Sequence, residues 1–467
     1  MAEIQDLESM EEGMLNGDHS GPSVVAAAAA AAGGIIENNA NVLDKCLIGS
    51  VIDQGRNHSD AQRQEPQMQK VSQRMRQRKD NDRFFDPAVV SIGPYHHGKE
   101  ELKAAEDLKP RVAFELTRRR PEDFYKKISE KISEVLAEAK SCYLEDSINN
   151  YDDDAFLKMM FLDGCFILHF WEHPSLFYRH LGRKSASALF TDIILLENQL
   201  PFVVLQAFMD LMYPEDGGEG LINSRLNFYL GFAKRRATWR GNEGDKFLHL
   251  LQILRSKLIF DIKSNSDQTR SPKDGGKKEF RLRQHFFRSA IEIKRKGIHC
   301  KPSNTNFVTD ISFVSHFLYA ELKLPQITIG PYAKHVFFNI IAYETAPNTP
   351  TKLEVSTYIF FMDCLIDGVE DVRELRSQKL IRHYQSSDEE VVKMFIDTGA
   401  ETMWNLYLLE EVINKIQNHY DKQINTWVAQ VVHDHFSTPW SVVAFLVAIF
   451  VIVLTIVQTY FAIYPRS

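Results

Sequence analysis

Two adjacent imidazoles, His96 and His97, stand in the stretch VSIGPYHHGKE, between a glycine–proline turn and a charged run. Histidine changes charge near neutral pH and ligates first-row metals, so such a pair can move protons or hold an ion if acidic partners reach it. The matching carboxylates are those set in apolar sequence: Asp163 in FLDGCFIL, Glu197 in LLENQLP and Asp363 in FFMDCLID. A carboxylate in such surroundings can be a tuned acid or base. It can equally cap a helix, accept from a backbone turn or pair with an arginine, and Glu197, Asn198 and Gln199 need partners if they are buried. His96, His97, Asp163 and Glu197 are therefore the candidate catalytic set of a hydrolase-type pocket, on condition that the fold brings them together. A structural turn holding two imidazoles is the competing reading, and the residues alone do not choose. No nucleophile elbow, phosphate-binding loop or dinucleotide fingerprint is present.

A second histidine pattern lies in HFWEH. His169, Glu172 and His173 have the His-x-x-Glu-His form of the inverted zinc proteases, with both imidazoles on one helical face. Pro174 follows at once and should end the helix at His173. No third protein ligand can be identified, so we reject this metal site and expect no cofactor.

These residues need elements to position them. Of the 467 residues, 44% are apolar and 25% charged, which is ordinary for one large or two smaller globular domains. The net charge of -7 gives no reason to expect nucleic acid as a partner. The basic clusters Arg118-Arg119-Arg120 and Arg235-Arg236 read as solvated helix faces. The five cysteines, Cys46, Cys142, Cys165, Cys300 and Cys364, are far apart, which argues against a disulfide framework or a structural zinc site.

Residues 1–80 are polar, with a polyalanine run from Ala26 to Ala32, and read as a disordered tail rather than a secretory signal. Residues 81–436 read as a mainly α domain with a small β element over 305–329. The polar loop 262–280 would split it into two halves. Phe124, Ile128, Ile132, Val135 and Leu136 make one helical stripe, and Phe247, Leu250, Leu251 and Leu254 another. The runs at 154–173 and 192–213 are apolar on nearly every side and read as central helices, with Pro201 kinking or starting one. Ser289-x-x-Glu292 and Ser387-x-x-Glu390 resemble capping boxes, and helices are expected at 333–344, 353–367 and 388–397. A stripe from Leu406 through Leu409, Ile413 and Ile416 to Trp427 and Val431 predicts one helix over 404–431, packed on the domain or pairing with a second copy.

Residues 437–467 read as a membrane anchor with a short tail. The run at 440–464 is uncharged and long enough for a bilayer, with Trp440 at one end and Tyr460, Phe461 and Tyr464 at the other as interfacial anchors. The lipid bilayer is thus the first expected partner. The position of the helix near the end of the chain implies insertion after synthesis, with the bulk of the protein in the cytosol.

Taken in order, FFDPAVVSIGPYHHGKEEL, FLDGCFILHF, DIILLENQLPFVVL, HLLQIL with Arg255, RSAIEIKRKGI, NIIAYE, FMDCLIDGVEDVREL, SSDEEVVKMF and TPWSVVAFLVAIFVIVLTIVQTYFAIY resemble the plant proteins named after domain of unknown function 247. The resemblance runs over residues 84 to 464. It implies a helical domain with a terminal membrane helix, a GPYHHG signature and no established catalytic activity. Some similar members are candidate determinants of pollen–stigma self-incompatibility in grasses, and others are tied to stress or development. Three features depart from the pattern: His169 replaces a usual Glu, Val71-Ser72 stands near where Val-Pro or Ile-Pro opens the domain, and the polyalanine tail lies outside it. The expectation is a single-pass protein of the plasma membrane acting in recognition or signalling with unidentified protein partners. A hydrolase using the His/acid set and a membrane-bound scaffold are the alternatives.

Overall fold

The computed structural model describes residues 67–77, 81–118, 120–231, 246–259, 288–305, 307–317, 319–400, 402–420 and 439–463. Residues 1–66 and 78–80 of the expected tail, the loop 262–280, Arg119, Arg235, Arg236, Cys46, Tyr464 and the 421–431 part of the long stripe lie outside them. Pro66–Ser467 form one unit.

The chain is mostly helical, as its periodicity predicts. Phe124, Ile128 and Ile132 are the buried face of the helix Phe124–Glu134. The helix Asp153–Glu172 starts on Asp152, whose carboxylate accepts from the Ala155 amide, and buries twelve of its twenty residues. Gly164 lets it approach the helix Phe202–Met212 so closely that a Cβ there would lie 2.2 Å from the Phe208 ring. Ser289 and Glu292 form the capping box of the helix Ala290–Arg295. Ser387 caps Asp388–Gly399 by accepting from the Glu390 amide, while Glu390 reaches back to the Ser386 amide at 3.0 Å. Ala333–Glu344 and Glu354–Leu365 are the two most deeply buried helices of the second half.

One expected helix is shorter. The run 192–213 is helical only over Phe202–Met212. Residues 193–201 form a buried irregular turn, because the side chains of Asn198 and Gln199 capture the carbonyls of Asp192, Ile193 and Leu195 that a helix would need. Pro201 then sets the start of the helix.

The β element is small and split. β1 (Ile298–Pro302), β2 (Ser312–Ser315) and β3 (Ala320–Leu324) make a sheet in the order β1-β3-β2, with β1 parallel and β2 antiparallel to β3. β4 (Ile327–Ile329) pairs in parallel with β5 (Ile381–His383). The two halves share one hydrophobic core: Phe84 stacks on Phe338 at 4.6 Å, and the Val308 amide donates to the Leu258 carbonyl at 2.8 Å.

The stripe beginning at Leu406 turns inward. A 3-10 turn (Leu406–Leu409) and the helix Glu410–Tyr420 bury Leu406, Leu409, Ile413 and Ile416 within the chain. The last described helix, Pro439–Ile463, spans 25 residues, or roughly 37 Å at 1.5 Å per residue. Among the described residues it is the one helix long and apolar enough to cross a membrane, and none of its Val443–Tyr460 stretch is buried.

Candidate functional site

The segment Ala88–Gly93 has apolar side chains to bury but, among the described residues, no strand to pair with, so its backbone must find other partners. Side chains supply them. Asp192 accepts from the amides of Ala88, Val89 and Val90 at 3.0, 2.8 and 3.0 Å. Asn198 accepts from the Ile92 amide at 2.6 Å and donates to the Val90 carbonyl at 3.0 Å. Asp163 accepts from the Gly93 amide at 2.8 Å. Lys109 donates to the Ser91 carbonyl at 2.7 Å and ion-pairs with Asp163 at 2.6 Å, both side chains being fully buried. Burial pushes the Asp163 carboxyl up and the Lys109 ammonium pulls it back. Asp192 is raised to about 6 by burial, against the pull of its three amide donors.

The turn that follows carries the histidines. Gly93 has φ +71, and a Cβ on it would lie 2.5 Å from Tyr143 Oη. His97 is partly exposed, with Nδ1 3.6 Å from Glu106 Oε2. Glu106 in turn binds Lys109 and the Ser91 hydroxyl. His96 points the other way and is 3% exposed. Its Nε2 lies 3.6 Å from Glu197 Oε2 and its Nδ1 3.9 Å from Asp86 Oδ1, both beyond hydrogen-bond range, and neither nitrogen has a partner. Burial, then the nearby Lys99, lower the imidazole to about 4, so it is neutral.

A strap closes this second cluster. Residues 67–77, whose polar composition promised nothing to bury, insert Met68, Val71 and Met75 into the core. The Met68 amide donates to the Cys142 carbonyl at 2.7 Å, and Tyr95 donates to the Met68 carbonyl. The Val71 amide donates to Glu197 Oε1 at 2.6 Å. Arg76 spans both acids, 2.8 Å from Glu197 Oε2 and 3.1 Å from Asp86 Oδ1.

The four residues singled out from the sequence therefore fall into two groups. His96 meets Glu197. His97 and Asp163 belong to the Glu106–Lys109 group. Asp163 and Glu197 both accept backbone amides, the structural role weighed against catalysis above. Asp363 is half-buried and raised to about 6 by burial. The HFWEH residues also come together: one ligand atom each from His169, Glu172 and His173 lies within 4.8 Å of the others. Glu172 accepts from Tyr213 Oη at 2.5 Å and pairs with Arg120 at 3.4 Å, and the helix ends at Glu172 with His173 as its cap. Of the interfacial aromatics, Tyr460 is exposed; the side chains of Trp440 and Phe461 are outside the described set.

Several residues of the site were not singled out from the sequence. Asn339 of NIIAYE accepts from the Leu196 amide and donates to the Phe84 carbonyl, both at 2.8 Å. Glu344 of the same segment accepts from Arg255 Nε at 2.7 Å and from the Ser356 amide at 2.7 Å. Lys109 and Glu106, three apart on one helix face, offered a readable signal; Arg76, Asp86 and Asn339 offered none.

The geometry defines a class: an α-helical domain whose signature segments serve as hydrogen-bonding ligands for one another's backbone. The chain belongs to the domain of unknown function 247 family, described as plant protein of unknown function, which matches residues 68–454. It is similar to the UPF0481 protein At3g47200 of Arabidopsis thaliana, 28% identical over 416 residues covering 82% of this chain and 83% of the relative. It is also similar to the putative UPF0481 protein At3g02645 of the same plant, 20% identical over 466 residues covering 80% and 86%. No solved structure matches the chain.

Proposed function

We propose that this protein is a single-pass membrane protein, anchored through Pro439–Ile463, whose helical domain is a non-enzymatic recognition or signalling module facing the cytosol at the plasma membrane. The observation that carries the reading is the Val443–Tyr460 stretch, apolar on all sides and exposed along its length. A soluble fold would bury such a face, whereas a bilayer solvates it. The non-enzymatic part is supported by Asp163, Asp192 and Glu197, each of which accepts from backbone amides. Self-incompatibility recognition, implied by the family resemblance, is the most specific form of the proposal.

The test is membrane extraction in plant cells of the full chain and of a chain lacking residues 437–467. The full chain should resist alkaline carbonate and the shortened one should be soluble. A tag at residue 1 should be protected from protease added to intact protoplasts and digested once their plasma membrane is permeabilised. Carbonate extraction of the full chain would refute anchoring, and digestion of the tag in intact protoplasts would reverse the topology.

A further inference from the structure

His96 is an anomaly: a buried imidazole aimed between two carboxylates, with no hydrogen bond at either nitrogen. Buried polar atoms without partners are costly, and one in a native fold calls for a ligand. Ligand atoms of Asp86, His96 and Glu197 all lie within 4.8 Å of one another. Two atoms bound to one tetrahedral ion at about 2.0 Å stand about 3.3 Å apart, and His96 Nε2 is 3.6 Å from Glu197 Oε2. Glu197 can serve without losing its backbone role, because Oε1 holds the Val71 amide and Oε2 faces the cluster. The cluster is open on one side, where Asp86 is 37% exposed, so an ion has a path in.

The position already holds positive charge. Arg76, carried by the strap, lies between the same two carboxylates and touches both. Its charge would repel an incoming ion, so ion and guanidinium exclude each other. We propose that Asp86, His96 and Glu197 form a binding site for a first-row divalent cation, with Arg76 as its built-in competitor. One nitrogen and two carboxylate oxygens suit Zn²⁺ or Mn²⁺, with water completing the shell. Binding would swing Arg76 out and loosen the strap over 67–77, which joins the domain to the 66 residues before it.

The experiment is a titration of the tag-free full chain in detergent micelles with ZnCl2, read by calorimetry and by competition with a chromophoric chelator. The wild type should bind one ion at this cluster. Arg76→Met should bind about tenfold more tightly, because the competing charge is gone. His96→Asn should bind at least about tenfold more weakly. His173→Ala should behave as wild type. Asp86→Asn, at the exposed rim, should also weaken binding and keeps the test valid if His96→Asn does not fold, which thermal melts without zinc will show. Absence of binding in both wild type and Arg76→Met overturns the site. Unchanged or weaker binding by Arg76→Met overturns the competition. Loss of the ion in His173→Ala, with His96→Asn and Asp86→Asn unaffected, places it on His169, Glu172 and His173 and overturns the proposal.

Discussion

Asn339 accepts a hydrogen bond from the Leu196 amide at 2.8 Å, across 143 positions of sequence. Its amide nitrogen reaches the Phe84 carbonyl, 255 positions away, so one side chain ties three segments of the chain. Asn339→Leu leaves a buried N–H and a buried carbonyl without partners. Each costs about 1–3 kcal/mol, so a loss of about 2–6 kcal/mol is expected in urea unfolding of the solubilised chain. A change below about 0.5 kcal/mol would show that this tie is dispensable.

Lys109 is the buried cation of the first cluster. Lys109→Met keeps the length of the side chain but strands Asp163 and Glu106 as unpaired acids beside the Ser91 carbonyl. Removing one partner of a buried ion pair costs about 3–5 kcal/mol. The variant should unfold at a markedly lower denaturant concentration, and the unfolding midpoint of wild type and variant decides.

Two glycines of the GPYHHG turn should respond differently to alanine. Gly98 has φ +83 with open space around its Cβ position, so only the left-handed backbone is penalised, by about 1–2 kcal/mol. Gly93 adds to the same backbone penalty a Cβ 2.5 Å from Tyr143 Oη and 2.9 Å from the Gln199 carbonyl. Gly93→Ala should therefore lower the thermal midpoint more than Gly98→Ala. Equal shifts would mean that Tyr143 yields at no cost.

His249 predicts a pH effect. It is fully buried, its Nδ1 accepts from the Gln252 amide, and burial lowers it to about 3. An unfolded histidine titrates near 6.5, so between about pH 6.5 and 3 the unfolded chain binds more protons than the folded one. Stability is therefore full above about pH 6.5 and falls as the pH drops below it, by about 2 kcal/mol at pH 5. His335, lowered to about 4 by burial, acts with the same sign. His249→Asn keeps an acceptor for the Gln252 amide and removes the proton site. Its stability difference between pH 7 and pH 5 should shrink by about 2 kcal/mol, and an unchanged difference would put the acid sensitivity elsewhere.

Much of the helical scaffold was readable because its signals are local. Ser289 and Glu292 sit three apart, and Phe124, Ile128 and Ile132 recur at helical spacing, so cap and face follow from neighbours. The run 193–201 misled because apolar density reports burial, not backbone form, and its shape depends on what Asn198 and Gln199 bind. The candidate site was legible by half. That Asp163 and Glu197 are buried acids in need of partners follows from composition. The partners are Lys109, Gly93, Val71 and Arg76, between 54 and 126 positions away, and nothing in a single chain's spacing encodes such pairings. Arg76 and Met68 were hidden because a strap held by a few anchors needs no periodicity of its own.

The reach of Asn339 also sets a timetable for synthesis. At about 5–20 residues per second, roughly 13 to 50 s pass between the appearance of Phe84 and that of the asparagine that binds its carbonyl. Glu344, the acceptor for Arg255, follows shortly after. Until then the Phe84–Phe85 aromatics and the Ile193–Leu196 run lack their packing partner from the second half. The nascent first half is thus a substrate for holding chaperones, and a release of this protein truncated before residue 339 should be retained by them rather than accumulate as a folded fragment.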